Sequence, residues 1–240
     1  MTQIGGSLKS CLERLERMRL DPERGQRQIE LAEELDNQWQ YYKAEYLKNL
    51  FDIGYTDDHK PELVPCPELI NQCIQTLYQE GIGALFIGNP GIGKSHILLE
   101  MASLILEMTY QHKKENGFML SDINPLLTKT VQYYYLQDIC TLFFNREKVN
   151  YAKFNFIDDF GVELVTVNSI SFLNTYFEEI ARRKLAIVVT SNGTAETLSK
   201  RVGFGRIISR LAKHCKVYTL PGEDQRKNQE SLGIRGWSVD

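Results

Sequence analysis

Along the chain, apolar residues recur first with a helical period and later in short unbroken runs. Leu8, Leu12 and Leu15 outline a short amphipathic helix, which Asp21-Pro22 interrupts. Asp21 as cap and Pro22 in the first turn start a second helix. Leu35, Trp39, Tyr42, Tyr46 and Leu50 continue it at alternating spacings of four and three. Such an aromatic stripe must be covered, either by its own domain or by a partner. Three prolines in "HKPELVPCPEL", Pro61, Pro65 and Pro67, read as a linker running into the cap of the next helix.

From there the pattern alternates. The run "GALFI" predicts a buried strand, and Ile97, Leu98, Met101, Ile105 and Met108 predict the helix after it. A polar stretch from Lys113 to about Lys129, with Gly117 and Pro125, predicts a surface loop. Strand "VQYYY", helix "QDICTLFFN", strand "FNFID", a helix from Ser169 to Arg183, strand "LAIVVT", short helices through Leu211 and strand "KVYTL" complete the order. Five strands separated by helices predict a parallel α/β sheet that binds its ligand at the strand C-terminal ends.

Between the first strand and its helix lies "GNPGIGKSH". Gly88, Asn89, Pro90, Gly91, Ile92, Gly93, Lys94 and Ser95 fit G-x-x-x-x-G-K-S/T, a loop whose backbone N–H groups wrap a polyphosphate. The glycines let the backbone approach phosphate oxygens. Lys94 supplies a point charge, Ser95 a hydroxyl for Mg²⁺, and the following helix its positive end. A second acidic feature follows in "FNFIDDFGVE", where an apolar strand ends in two carboxylates. Asp158 is expected to hold Mg²⁺ and Asp159 to orient water. In "VVTSN", Asn192 sits at a third strand end. "GRIISRL" then puts Arg206 and Arg210 one helical turn apart, suited to phosphate charge on a neighbouring subunit or to a surface ion pair.

Composition changes this picture little. The 240 residues are 25% charged and 42% hydrophobic with a formal net charge of −3, which gives no global signature of nucleic-acid binding. Charge is unevenly spread, however. Arg182, Arg183, Lys184, Lys200, Arg201, Arg206, Arg210, Lys213 and Lys216 crowd the later half, so a local basic surface is expected there beside ordinary solvated faces. Five scattered cysteines make neither a zinc site nor a disulfide framework. With no apolar run long enough for a membrane span, the expected setting is cytoplasmic and off the membrane.

Taken in order, "GNPGIGKSH", "VQYYYLQDI", "FIDDFGVE", "VVTSN", "GFGRIISRL" and "GEDQRK" resemble the AAA+ ATPases, and among them the DnaC-type replicative helicase loaders with their IstB-like transposition relatives. The resemblance runs from about Leu77 to Lys227. It implies a five-stranded sheet in the order 5-1-4-3-2 without an extended helical lid, preceded by a small N-terminal helical segment. It further implies that His96 belongs to the ATP-binding loop, Asn192 is the first sensor, Arg210 the arginine finger with Arg206 beside it, and Arg226 a candidate second sensor. ATP and Mg²⁺ are the implied cofactors. A hexameric replicative helicase, single-stranded DNA and further copies of the chain, joined through ATP-bridged interfaces, are the implied partners. Residues 1–60 are then a partner-binding helical segment, 61–227 the ATPase core and 228–240 a tail.

One departure concerns the acidic pair, which in the family is usually Asp-Glu. The shorter Asp159 leaves two alternatives, slow hydrolysis or assistance from Glu163. Helicase loading during replication initiation is the expected function. An IstB-like ATPase assisting a transposase on duplex DNA is the alternative. A small-molecule kinase is disfavoured because the tail "PGEDQRKNQESLGIRGWSVD" resembles neither a lid nor a substrate pocket. Phe143 and Phe144 are candidates for stacking on single-stranded DNA or for core packing.

Overall fold

The computed structural model describes residues 22–51, 67–161, 167–200 and 204–222. The expected first helix at Leu8, Leu12 and Leu15, the cap Asp21, the linker residues Pro61 and Pro65, and the site candidates Glu163 and Arg226 lie outside them, as do the proposed segment boundaries at 60 and 227.

Five strands form one parallel sheet: β1 (Gly83–Ile87), β2 (Val131–Tyr135), β3 (Phe154–Asp158), β4 (Ala186–Ser191) and β5 (Cys215–Thr219). Their spatial order is β2-β3-β4-β1-β5, the order 5-1-4-3-2 read from the opposite edge. The central strands β1, β3 and β4 are buried along their whole length, which is why they read as mostly apolar runs, and the one polar residue in the middle of β3, Asn155, is satisfied by the backbone of Ala152 and Ala186. Register is set by pairs such as Ala84 with Val188, Phe156 with Val188 and Gly83 with Cys215. Strands β1 and β4 are neighbours although two strands separate them in sequence. The crevice beyond their C-terminal ends is therefore a topological switch point, the place where α/β sheets bind ligands.

Alternation along the strands builds two cores. Ala84, Phe86, Tyr133, Phe156 and Val188 face one layer of helices, which comprises α1 (Pro22–Phe51), α2 (Pro67–Glu80), α3 (Lys94–Lys114) and α4 (Ile123–Thr130). Leu85, Ile87, Ile157 and Val189 face the other, which comprises α5 (Leu136–Phe144), α6 (Val167–Arg182), α7 (Ala195–Ser199) and α8 (Gly205–His214). Among the described residues no helix is long and apolar enough to cross a membrane.

Two expectations change. The stretch expected as a surface loop up to Lys129 contains a short 3₁₀ turn (Leu120–Asp122) and then α4. Ile123, Leu126 and Leu127 recur at helical spacing and are buried, and Pro125 is tolerated because it falls in the first turn. The aromatic stripe of α1, left open between its own domain and a partner, is turned largely inward. Trp39, Leu47 and Phe51 are fully buried, with Leu35, Tyr46 and Leu50 packed beside them. Trp39 stacks on Tyr110 with ring centroids 4.4 Å apart, and its indole Nε1 donates to Glu107 at 2.9 Å. The Tyr46 hydroxyl donates to the carbonyl of Val131 on the edge strand at 2.7 Å. Tyr42, in contrast, is exposed. Lys43 takes the inward place, because its ammonium reaches Glu107 at 2.8 Å while its stem stays packed.

Candidate functional site

After β1 the chain turns through residues 88–93 and enters α3 at Lys94. Gly91 and Gly93 take φ of 76° and 89°, a region that disfavours side chains with a Cβ. Gly88 is needed for a different reason. A Cβ there would stand 2.3 Å from Ile92 Cδ1 and 2.9 Å from the Leu220 carbonyl oxygen. Its N–H donates to the carbonyl of Ser191 at 3.2 Å, which ties the loop to the end of β4. Asn89 holds the far side by donating to the Gly222 carbonyl at 3.3 Å, Pro90 is exposed and Ile92 is buried beneath the turn.

No side chain caps the N-terminus of α3, so its positive end faces the loop. Lys94 is only 6% exposed, and its ammonium donates to the carbonyls of Gly88 at 3.0 Å and Asn89 at 2.7 Å. Ser95 and His96 are half-buried in the same first turn. A strand, a glycine turn with two left-handed residues, a lysine folded into it and an uncapped helix together fit a polyphosphate.

Asp158, the last residue of β3, is fully buried and well supplied with donors. Its Oδ1 accepts the Asp159 backbone N–H at 3.0 Å and the Thr190 hydroxyl, and its Oδ2 accepts the Tyr133 hydroxyl at 2.9 Å. Burial, and then the charge of Asp158, push the Tyr133 hydroxyl far above its ordinary range, so it remains a donor. Asp159 has φ of 55°, an uncommon conformation that Asp accepts more readily than most residues. Asn192, just beyond β4, donates through Nδ2 to Asp159 Oδ1 at 3.2 Å. The Asn192 Oδ1 is buried and has no hydrogen-bond partner among the described residues. Ser191 donates to the Phe160 carbonyl at 2.6 Å and so ties the tip of β4 to the turn after β3. The hydroxyl of Ser95 and the carboxylate of Asp158 are hard oxygen donors of the kind Mg²⁺ takes.

Three strand ends thus bring Lys94, Asp158, Asp159 and Asn192 to one end of the sheet. Arg210 is not brought to them. It lies on α8, where it donates to Asn174 Oδ1 at 2.9 Å and pairs with Glu178, both on α6. There it lines a cavity of about 290 Å³ with Gly83, the first residue of β1, and with Leu185 and Ile187 at the start of β4. A five-residue strand spans about 17 Å, so Arg210 and Lys94 stand at opposite ends of β1. Arg206 is exposed and unpaired among the described residues.

The basic stretch is partly neutralised. Arg182 and Arg183 both pair with Glu179, and Lys200 pairs with Glu196. Those two arginines, Arg182 first, hold the Glu179 carboxyl down at about 2. Phe143 stacks on Phe172 at 4.2 Å, whereas Phe144 is more exposed. Tyr133 and Thr190 were not legible as site residues. A polar residue inside the apolar run "IVVTS" is the one signal for Thr190, and nothing in "YYY" singles out Tyr133.

No family model matches the sequence, and no curated protein does. Solved structures are similar in fold. A candidate primosome component from Streptococcus pyogenes serotype M3 is 17% identical, with 68% of this chain and 85% of that one covered at a TM-score of 0.50. Domain III of the replication initiation protein DnaA from Thermotoga maritima is 16% identical, with 71% and 72% covered, also at 0.50. With its strand order and the glycine turn after β1, the chain has the α/β fold of the AAA+ ATPases.

Proposed function

We propose that this chain is an ATP-binding and ATP-hydrolysing AAA+ protein that delivers a hexameric replicative helicase onto single-stranded DNA. The observation that carries the nucleotide part is the meeting, at one end of the sheet, of the glycine cradle with its inward Lys94 and the hydrogen-bonded Asp158–Asp159–Asn192 group. Bound ATP with Mg²⁺ would supply a phosphoryl group for transfer to water. The chain's own contributions follow from position and chemistry. Residues 88–96 hold the phosphates, Lys94 by charge and the loop by backbone N–H groups. Ser95 and Asp158 would be the oxygen ligands for the metal. Asp159 accepts the proton of the attacking water, held in place by the Asn192 amide, with Glu163 as an alternative acceptor. Arg226 is assigned as second sensor.

Arg210, remote from its own Lys94, would reach the nucleotide of a neighbouring copy after leaving Glu178, which would make hydrolysis depend on self-assembly. Residues 1–60 keep the partner-binding role. The inward face of α1 packs on α3, α4 and β2, while Leu31, Tyr41 and Tyr42 on its outer side are exposed. Replication initiation is supported by two of the structures that share the fold, a primosome component and a replication initiation protein.

The test is capture of purified hexameric helicase by the tagged full chain with ATP and single-stranded DNA. Nucleotide binding is titrated in parallel for wild type and Lys94→Ala. The expected result is ATP-dependent capture, with nucleotide binding lost in the variant. A folded wild type that binds no ATP would sink the proposal, and capture of a transposase in place of a helicase would transfer it to the IstB-like alternative.

A further inference from the structure

The carboxylate assigned to the metal has a neighbour that the proposed mechanism does not use. Among the described residues, Asp158 Oδ1 accepts two donors, the Asp159 N–H and the Thr190 hydroxyl, whereas Oδ2 accepts one, the Tyr133 hydroxyl. A carboxylate oxygen offers two lone-pair directions, so Oδ2 keeps one direction for a cation or a cation-bound water. Which direction stays open depends on where the Tyr133 hydroxyl stands. The ring behind that hydroxyl is fixed. Tyr133 is 4% exposed, packs against Phe51 with centroids 4.1 Å apart, and meets Tyr135 edge-on at 5.3 Å. Phe51 is itself fully buried and is the last residue of α1. The helix ahead of the sheet therefore ends against the residue that orients Asp158.

We infer that Tyr133 is a positioning residue for the divalent cation, holding the Asp158 carboxylate so that one Oδ2 lone pair points into the nucleotide site. This rests on the reading of Asp158 as the Mg²⁺ residue. Partners that orient metal ligands typically change metal affinity about 10–100-fold when removed. A hydroxyl that merely satisfied a buried carboxylate would affect folding and leave the cation dependence unchanged.

Binding of a fluorescent ATP analogue to the full chain, titrated over Mg²⁺ concentration, separates the two. Tyr133→Phe keeps the ring and its packing on Phe51. Its expected behaviour is a nucleotide affinity in EDTA within about twofold of wild type, with the Mg²⁺ concentration for half-maximal tightening raised about tenfold. An unchanged Mg²⁺ dependence in the folded variant overturns the inference. Asp158→Asn in the same assay distinguishes the failures. If it raises the Mg²⁺ requirement and Tyr133→Phe does not, the positioning role alone falls; if neither does, the assignment of Asp158 falls with it. Should Tyr133→Phe not fold, 3-fluorotyrosine incorporated at that position keeps shape and hydroxyl. Its fluorine NMR resonance is expected to move when Mg²⁺ is added to the nucleotide-bound protein, and a resonance unmoved by Mg²⁺ refutes the inference.

Discussion

Glu107→Gln tests how firmly α1 is fastened to the layer of helices beneath it. Glu107 Oε2 accepts from Trp39 Nε1, Lys43 Nζ and Gln40 Nε2, all on α1, at 2.9, 2.8 and 3.3 Å, while Oε1 accepts from Gln111 at 2.8 Å. Burial works against the charge, but the donors, led by Lys43 and then Trp39, outweigh it and hold the carboxyl down at about 2. Set against an ordinary value near 4.5, this corresponds to about 3 kcal/mol before screening. The side chain is 29% exposed, and water reduces the figure to about 1–2 kcal/mol. The sign follows from a lowered folded-state value. The stabilisation is complete above about pH 5 and disappears as pH falls from there towards 2. Urea unfolding of wild type and Glu107→Gln at closely spaced pH values isolates it, apart from Asp36, whose carboxyl the Glu107 charge pushes up. Wild type is expected to be more stable by about 1–2 kcal/mol at pH 7, with the gap closing below pH 4. A gap that keeps its size down to pH 2 would refute the argument.

Trp39→Ala empties a fully buried site stacked on Tyr110 and is expected to cost about 3–5 kcal/mol in urea unfolding; a loss below about 1 kcal/mol would mean that α1 does not pack as described. Asp159→Asn keeps a side chain that tolerates positive φ, so ATP binding should persist while turnover falls about 10²–10⁴-fold. Unchanged turnover would move the water-orienting role to Glu163. Arg210→Ala should bind ATP normally and lose assembly-stimulated hydrolysis by about 10³-fold. Mixing it with Lys94→Ala should restore part of the rate, since one copy then supplies an intact finger and the other an intact loop. No recovery under conditions where wild-type copies assemble would leave Arg210 as the ion-pair partner of Glu178.

Local patterns were legible because their causes lie within a few residues. The glycine turn with Lys94 and Ser95 is a consecutive stretch, and the buried strands β1, β3 and β4 announce themselves as short, mostly apolar runs. These determine a parallel α/β sheet with a glycine turn after its first strand. The strand order came from the resemblance to AAA+ ATPases, because spacing alone does not say which strands pair.

Tertiary structure decided everything that depends on partners far along the chain. Lys43 turns inward in place of Tyr42 because Glu107, 64 residues away, accepts its ammonium. Residues 123–130 form a helix because Ile123 and Leu127 find a core to fill. In "YYY" the three tyrosines are alike in sequence. Pleat and register turn Tyr133 towards the face it shares with Phe51, and its hydroxyl meets an aspartate 25 residues on. Thr190 reaches the same aspartate from 32 residues away. Arg210 is held by α6 at the opposite end of β1 from Lys94, a separation that no periodicity encodes, since it arises only when the sheet stacks its strands and the helices cover them.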